Sequence, residues 1–111
     1  MPDYIEVHST TDSKDNADKI CAGAVSSRLV ACAQVSGPIR STYWWQGQVE
    51  RADEYFLMMK TTRDKFAALA RLIRENHPYE VPDIVAVPIL DGTEDYLGWI
   101  SSETRGSDEP A

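Results

Sequence analysis

The chain offers few side chains for soft-metal binding or nucleophilic chemistry. Its 111 residues include two histidines, His8 and His77, and two cysteines, Cys21 and Cys32. Copper prefers sulfur and imidazole ligands, and a metal site needs several of them to converge. The cysteines fit no C-x-x-C spacing, which predicts free thiols in a reducing compartment. A nucleophilic cysteine needs an adjacent base, and none is evident beyond the two histidines. We therefore predict that the protein is not an enzyme.

A second set of candidate residues combines aromatic and charged side chains. Tyr43, Trp44 and Trp45 are consecutive, and alternation along a strand places Tyr43 and Trp45 on one face. Packing between subunits explains them, and a ligand cleft between subunits is compatible with it. Charges near apolar strands, such as Glu50 and Asp83, must be paired or solvated, as in an intersubunit salt bridge. The alternative is a cleft for a small anion or a metal, formed by Tyr43, Trp45, Glu54, Lys60, His77, Tyr79 and Trp99.

Composition excludes several classes of partner. The net charge of −7 opposes binding to nucleic acid. No apolar run is long enough to span a bilayer, and the N-terminus lacks the regions of a signal peptide, which predicts a cytoplasmic protein without membrane contact. The length allows one domain, predicted over residues 1–102. The polar segment that begins at Ser101 predicts a disordered acidic tail over residues 103–111.

The apolar periodicity predicts the elements that must position these residues. Strands are expected from Tyr4 to Ser9, from Leu29 to Trp45 with a bulge at Gly37, from Val49 to Thr61, and at an edge within 81–90. Helices are expected over about residues 14–28, capped by Asp12 or Ser13, and from Phe66 to Ile73, capped by Thr61–Thr62. A short closing helix is expected around Tyr96 to Ile100, after a two-strand hairpin turning at 46–48.

The order β-α-β-β-α-β predicts an α+β, ferredoxin-like fold with four antiparallel strands and both helices on one face. The apolar block Tyr55–Met59 does not alternate, which indicates that both faces of its strand are covered. A partner subunit on the second face would explain this pattern.

Several separated motifs resemble the CutA family of divalent-cation tolerance proteins. They are Arg28–Cys32, Ser41–Gly47, Glu54 with Lys60–Thr61, His77–Pro82 and Tyr96–Ile100. The resemblance extends from about Tyr4 to Ile100. It implies a homotrimer in which the long hairpins of neighbouring subunits join, and a fold similar to the nitrogen-regulatory (PII-like) signal-transduction proteins.

The resemblance also implies a link to divalent metals, copper among them. In the bacterial copper-binding pattern a Cys near the end of the first strand joins a His-His pair before Pro-Tyr. Here those positions hold Ser9 and Asn76–His77, so only His77 is carried over. His77 either ligates a metal or supports the turn before Pro78, and Cys32 is either a weak ligand or a small buried residue.

Two functions follow from these observations. The first is a cytoplasmic homotrimer that binds divalent cations weakly, copper among them, and acts in the response to metal ions, with no required cofactor. The alternative is a non-enzymatic signalling or structural trimer that holds a small ligand or a protein partner in its intersubunit cleft.

Overall fold

The computed structural model describes residues 3–106. Within them the chain forms four strands and three α-helices, with one turn of 3₁₀ helix at Arg63–Lys65 before the second helix. The bounds are β1 Tyr4–Thr11, α1 Lys14–Ser26, β2 Cys32–Trp45, β3 Gln48–Thr62, α2 Phe66–Glu75, β4 Val85–Pro88 and α3 Glu94–Glu103. The predicted ferredoxin-like order with a closing helix is confirmed.

The four strands form one antiparallel sheet in the order β2-β3-β1-β4, so the first and third strands lie at its centre. Alternate residues of β1, beginning with Ile5 and Val7, are buried. They belong to the same core as Leu57 and Met59 of β3 and Ile20 of α1. Burial of these apolar side chains is the main stabilising term of the fold. β4 lies at the edge of the sheet after Pro82, as predicted.

The two principal helices begin differently. Ser13 caps α1, because its Oγ accepts a hydrogen bond from the Asn16 amide at 3.0 Å. Of the two predicted caps, Asp12 and Ser13, the second is therefore the one observed. The predicted side-chain cap of the second helix by Thr61–Thr62 is wrong. Thr61 faces the core and donates to the Leu29 carbonyl, and the Thr62 hydroxyl donates to Asp64, whose pKa it lowers.

A bulge interrupts the long β2 strand where the sequence predicts it. The pairing with β3 shifts register between Ser36 and Ile39, and Gly37 has a φ of +143°. A Cβ atom on Gly37 would lie 2.9 Å from the Glu54 carbonyl oxygen, so only glycine fits. The strand begins at Cys32 rather than at Leu29, because Leu29 and Val30 form a buried turn after α1.

The hairpin of β2 and β3 ends in a two-residue turn at Gln46–Gly47, both with positive φ. That combination is the type I′ turn, which matches the twist of antiparallel strands. Tyr43, Trp44 and Trp45 next to this turn are all exposed, Trp44 at 74%. In a single chain, the aromatic residues of the hairpin are therefore exposed to solvent.

The closing helix extends farther than the sequence predicts. Ser101 to Glu103 are helical, and Thr104 is buried with its hydroxyl bonded to the Ile100 carbonyl. The helix therefore ends at Glu103, one residue beyond position 102, and the buried Thr104 follows it. The predicted tail lies partly outside the described residues, from 107 onward. None of the helices described is both long and apolar enough to cross a membrane.

The face of the sheet opposite α1 and α2 is only partly covered. Leu57 and Met59 are buried beneath the helices, whereas Phe56 and Met58 point the other way and are half-buried. Val85 and Val87 on the neighbouring edge are exposed. The expectation that both faces of the Tyr55–Met59 block are covered is therefore not met by one chain alone.

Candidate functional site

A cavity of about 520 Å³ lies where the β2–β3 hairpin approaches the loop formed by residues 76–84. We call it the hairpin cavity. Its walls come from both hairpin strands, the end of β1 and the loop. The lining residues are Thr10, Ser41, Tyr43, Trp44, Trp45, Glu54, Tyr79, Glu80, Val81 and Asp83. The volume falls within the range of small-molecule sites.

Thr10 at the end of β1 fixes the loop to the sheet. Its backbone N–H and its hydroxyl both donate to the Asp83 carboxylate, at 3.2 and 2.8 Å. Its carbonyl oxygen accepts a hydrogen bond from His77 Nε2 at 2.7 Å. Both backbone polar groups of Thr10 are therefore used by the loop, which continues the edge of the sheet ahead of β4.

Both ring nitrogens of His77 take part in hydrogen bonds within this arrangement. Its Nδ1 accepts a hydrogen bond from the Tyr79 amide at 3.1 Å, and its Nε2 can only donate to the Thr10 carbonyl. The ring is therefore the neutral Nε2–H tautomer with no lone pair free for a metal. It also packs edge-on against the Tyr79 ring, 4.6 Å between centroids. This geometry favours the predicted role of His77 as support for the turn before Pro78.

Glu54 and Tyr79 form the polar centre of the hairpin cavity. The Glu54 side chain belongs to a residue only 5% exposed, and it accepts a hydrogen bond of 2.5 Å from the Tyr79 hydroxyl. Burial and then this hydrogen bond raise the pKa of Tyr79, so the phenol stays protonated as the donor. Among the residues described, Glu54 has no cationic partner and no second hydrogen-bond donor.

Apart from His77, the predicted cleft residues divide into two groups. Tyr43, Trp45, Glu54 and Tyr79 line the hairpin cavity. Lys60 lies six residues farther along β3 than Glu54, about 20 Å at the usual rise of a strand. Trp99 belongs to α3, where it lines a separate depression of about 370 Å³ beside Arg28 and Glu103. A single chain therefore does not bring Lys60 and Trp99 to the cavity.

Lys60 and Trp99 belong to a cluster around Tyr96 on α3. Lys60 Nζ donates to the Tyr96 hydroxyl at 3.3 Å, and this hydrogen bond raises the pKa of the ammonium group. Cys32 Sγ lies 3.8 Å from the same hydroxyl, and the Trp99 ring packs 5.5 Å from the Tyr96 ring. Cys32 is half-buried, so it is less enclosed than a small core residue.

The other metal candidates do not converge. No group of three or more His, Cys, Asp or Glu side chains is placed for a metal ion within residues 3–106. Ser9 faces the core, fully buried, whereas His8 faces the other side and pairs with Glu6 at 2.9 Å. Burial raises the pKa of the Cys21 thiol to about 11, which opposes the thiolate form that a metal requires. The structure supplies no preassembled copper site in this part of the chain.

Two important residues were missed by the sequence prediction. Thr10 was assigned to the break after β1, although two consecutive β-branched residues, Thr10 and Thr11, favour a longer strand. Tyr96 was placed in the closing helix without a predicted partner. Its spacing of three from Trp99 places both on one helix face, which was the available signal for the cluster with Lys60.

The electrostatic character of the hairpin cavity is acidic and aromatic. Three of its lining residues are carboxylic acids, Glu54, Glu80 and Asp83, and none is lysine, arginine or histidine. The anionic ligand considered from the sequence would meet like charge here. The cavity can instead attract and hold a positively charged group.

The fold and this site define a class: a ferredoxin-like α+β chain with a long β2–β3 hairpin, a closing helix and an acidic, aromatic cavity. The family described as "CutA1 divalent ion tolerance protein" matches residues 5–103. The chain belongs to the CutA family of divalent-cation tolerance proteins.

Individual relatives agree with this assignment. The divalent-cation tolerance protein CutA of Pyrococcus horikoshii is 37% identical over 91% of this chain and 98% of its own length. The chloroplastic protein CutA 1 of rice is 35% identical over 93% of this chain, which spans 58% of that relative. A solved structure of the Thermus thermophilus divalent cation tolerance protein has a TM-score of 0.88 at 37% identity, over 90% of this chain and 97% of that one.

Proposed function

We propose that the protein works as a homotrimer in divalent-cation tolerance, without catalysing a reaction. Family membership carries the role in divalent-cation tolerance. The trimer is supported by the exposed aromatic residues of the hairpin and by the half-covered face around Phe56 and Met58. Apolar and aromatic surface of this kind is typical of interfaces between subunits.

Cation binding in this proposal is weak and diffuse rather than centred on one metal site. The net charge of −7 per chain becomes about −21 in a trimer, which concentrates cations near the surface without selecting one. The hydrogen bonds of both His77 nitrogens argue against a high-affinity copper ligand there. We place the protein in the cytoplasm, as the sequence predicts, although the name of the rice relative assigns that protein to the chloroplast.

Calorimetric titration of the full-length protein with Cu²⁺ and Zn²⁺ tests this function. We expect dissociation constants of about millimolar that weaken further with added salt, because the attraction is screened. His77→Ala is expected to leave them unchanged. A binding constant of about micromolar or tighter that His77→Ala abolishes would contradict diffuse binding and restore a specific metal site.

The hairpin cavity favours one feature of the alternative function, a trimer that holds a small ligand. The cavity holds a buried carboxylate and aromatic side chains, which can select one ligand. Diffuse attraction of cations by surface charge does not need such an arrangement. The two functions are compatible, since metal ions can bind weakly at the protein surface while a ligand occupies the cavity.

A further inference from the structure

Glu54 is a nearly buried carboxylate with one protein hydrogen-bond donor within residues 3–106. Only 5% of Glu54 is exposed, and the Tyr79 hydroxyl is its single hydrogen-bond donor among the residues described. Asp83 on the same cavity wall differs, because Thr10 satisfies it through two donors. A buried carboxylate is costly without a positive partner, and no lysine or arginine of the described chain approaches within 4 Å of Glu54.

The aromatic residues that line the cavity together with Glu54 distinguish between kinds of cation. Tyr43, Trp44 and Trp45 line the same cavity, and the faces of such rings attract cations. Trp is the strongest of these side chains, and a weakly hydrated organic cation loses less on leaving water than a metal ion does. A divalent metal needs several converging ligands, which the described residues do not provide.

We propose that the hairpin cavity binds a small organic monocation, a guanidinium or a substituted ammonium compound, with its charge against Glu54 and its flat or alkyl part along the aromatic wall of the cavity. The volume of about 520 Å³ suits a free small molecule rather than a folded partner. Arg40, on the neighbouring strand, is already paired with Asp53 at 3.8 Å. This inference deepens the proposed ligand-holding role and requires that the cavity stay open in the assembled protein.

The test compares butylguanidinium with butylurea, an uncharged molecule of nearly the same shape, by calorimetry on the full-length protein. We expect butylguanidinium to bind at least about tenfold more tightly, because hydrogen bonds to charged groups are the stronger ones. Glu54→Gln keeps the shape and the acceptor for Tyr79 but removes the charge, and it should abolish the difference. Glu50→Gln, which removes a charge from the same strand outside the cavity lining, should preserve it.

Two further arms decide the outcome. Trp44→Leu should weaken the binding of butylguanidinium several-fold, and it is compared with the unmodified protein in the same assembly state, because the exposed Trp44 also belongs to the surface assigned to subunit contacts. Butyrate should not bind. Equal affinity for the guanidinium and the urea, or no binding because another subunit fills the cavity, would overturn the inference. Light scattering on the same samples separates the two proposals: a trimer that ignores the probe refutes only the cavity ligand, and a monomer that binds it refutes only the assembly.

Discussion

At the scale of single residues, the sequence identified the types of the important side chains better than their partners. Glu54 and Tyr79 were both predicted site residues, and they meet directly. They are separated by 25 positions, so no local pattern could reveal that contact. His77 was singled out as a ligand or a turn support. The register of the loop against Thr10, which no periodicity encodes, favours the second role.

Replacing Tyr79 by Phe tests the polar centre of the hairpin cavity. The variant removes the hydroxyl that donates to Glu54 and leaves a buried carboxylate without a donor. We expect the free energy of unfolding to fall by about 1–3 kcal/mol. Tyr43→Phe is the matched control, because the Tyr43 hydroxyl makes no hydrogen bond within residues 3–106. Urea unfolding at one chain concentration measures both; an equal effect of the two variants would count against the Glu54–Tyr79 interaction.

The thiol of Cys21 makes stability depend on alkaline pH. Burial, followed by the nearby Asp18 charge, raises its pKa from 9.0 to about 11. The folded state therefore holds this proton more firmly than the unfolded state. Its contribution is complete below pH 9.0 and is lost as the pH rises through about 11.

Cys21→Ala isolates this contribution from the other groups that ionise in alkali. Between about pH 8 and pH 11, the unmodified protein should lose more stability than Cys21→Ala does. Denaturant unfolding at a series of pH values gives the comparison. Parallel curves for the two proteins would contradict the raised pKa of the Cys21 thiol.

At the scale of elements, the apolar periodicity located the four strands and three α-helices of residues 3–106, and their ends were less accurate. The bulge at Gly37 and the turn at Gln46–Gly47 were predictable because glycine marks both. The cap of α2 and the end of α3 were not, because they depend on whether Thr62 and Thr104 meet a partner in the folded chain. Capping patterns are local, whereas those contacts are set by packing.

Two glycine-to-alanine variants test the bulge. Gly37→Ala places a methyl group 2.9 Å from the Glu54 carbonyl at a φ of +143°, so we expect a loss of about 2 kcal/mol or more in unfolding free energy. Gly23→Ala in α1 meets no atom within 4 Å, so it should gain about 0.5–1 kcal/mol. Thermal unfolding of both variants measures the contrast. Tolerance of Gly37→Ala would contradict the bulge geometry next to Glu54.

At the scale of the whole molecule, one chain leaves much apolar surface uncovered. Its longest dimension is 44 Å against 22 Å for the shortest, because the hairpin extends from the body. The exposed aromatic residues lie on this extension, and the half-buried Phe56 and Met58 lie on the open face of the sheet. The sequence could indicate this excess of apolar surface. It could not place the hairpin cavity, which forms only when the loop is fixed to β1.

The central claim is that the protein is a homotrimer, in which other subunits cover this apolar surface. The mass of the protein in solution tests that claim most directly. Size-exclusion chromatography with light scattering should give about 37 kDa, three times the chain mass of 12.4 kDa, and should do so across a wide range of concentration. A stable species near 12.4 kDa would contradict the trimer.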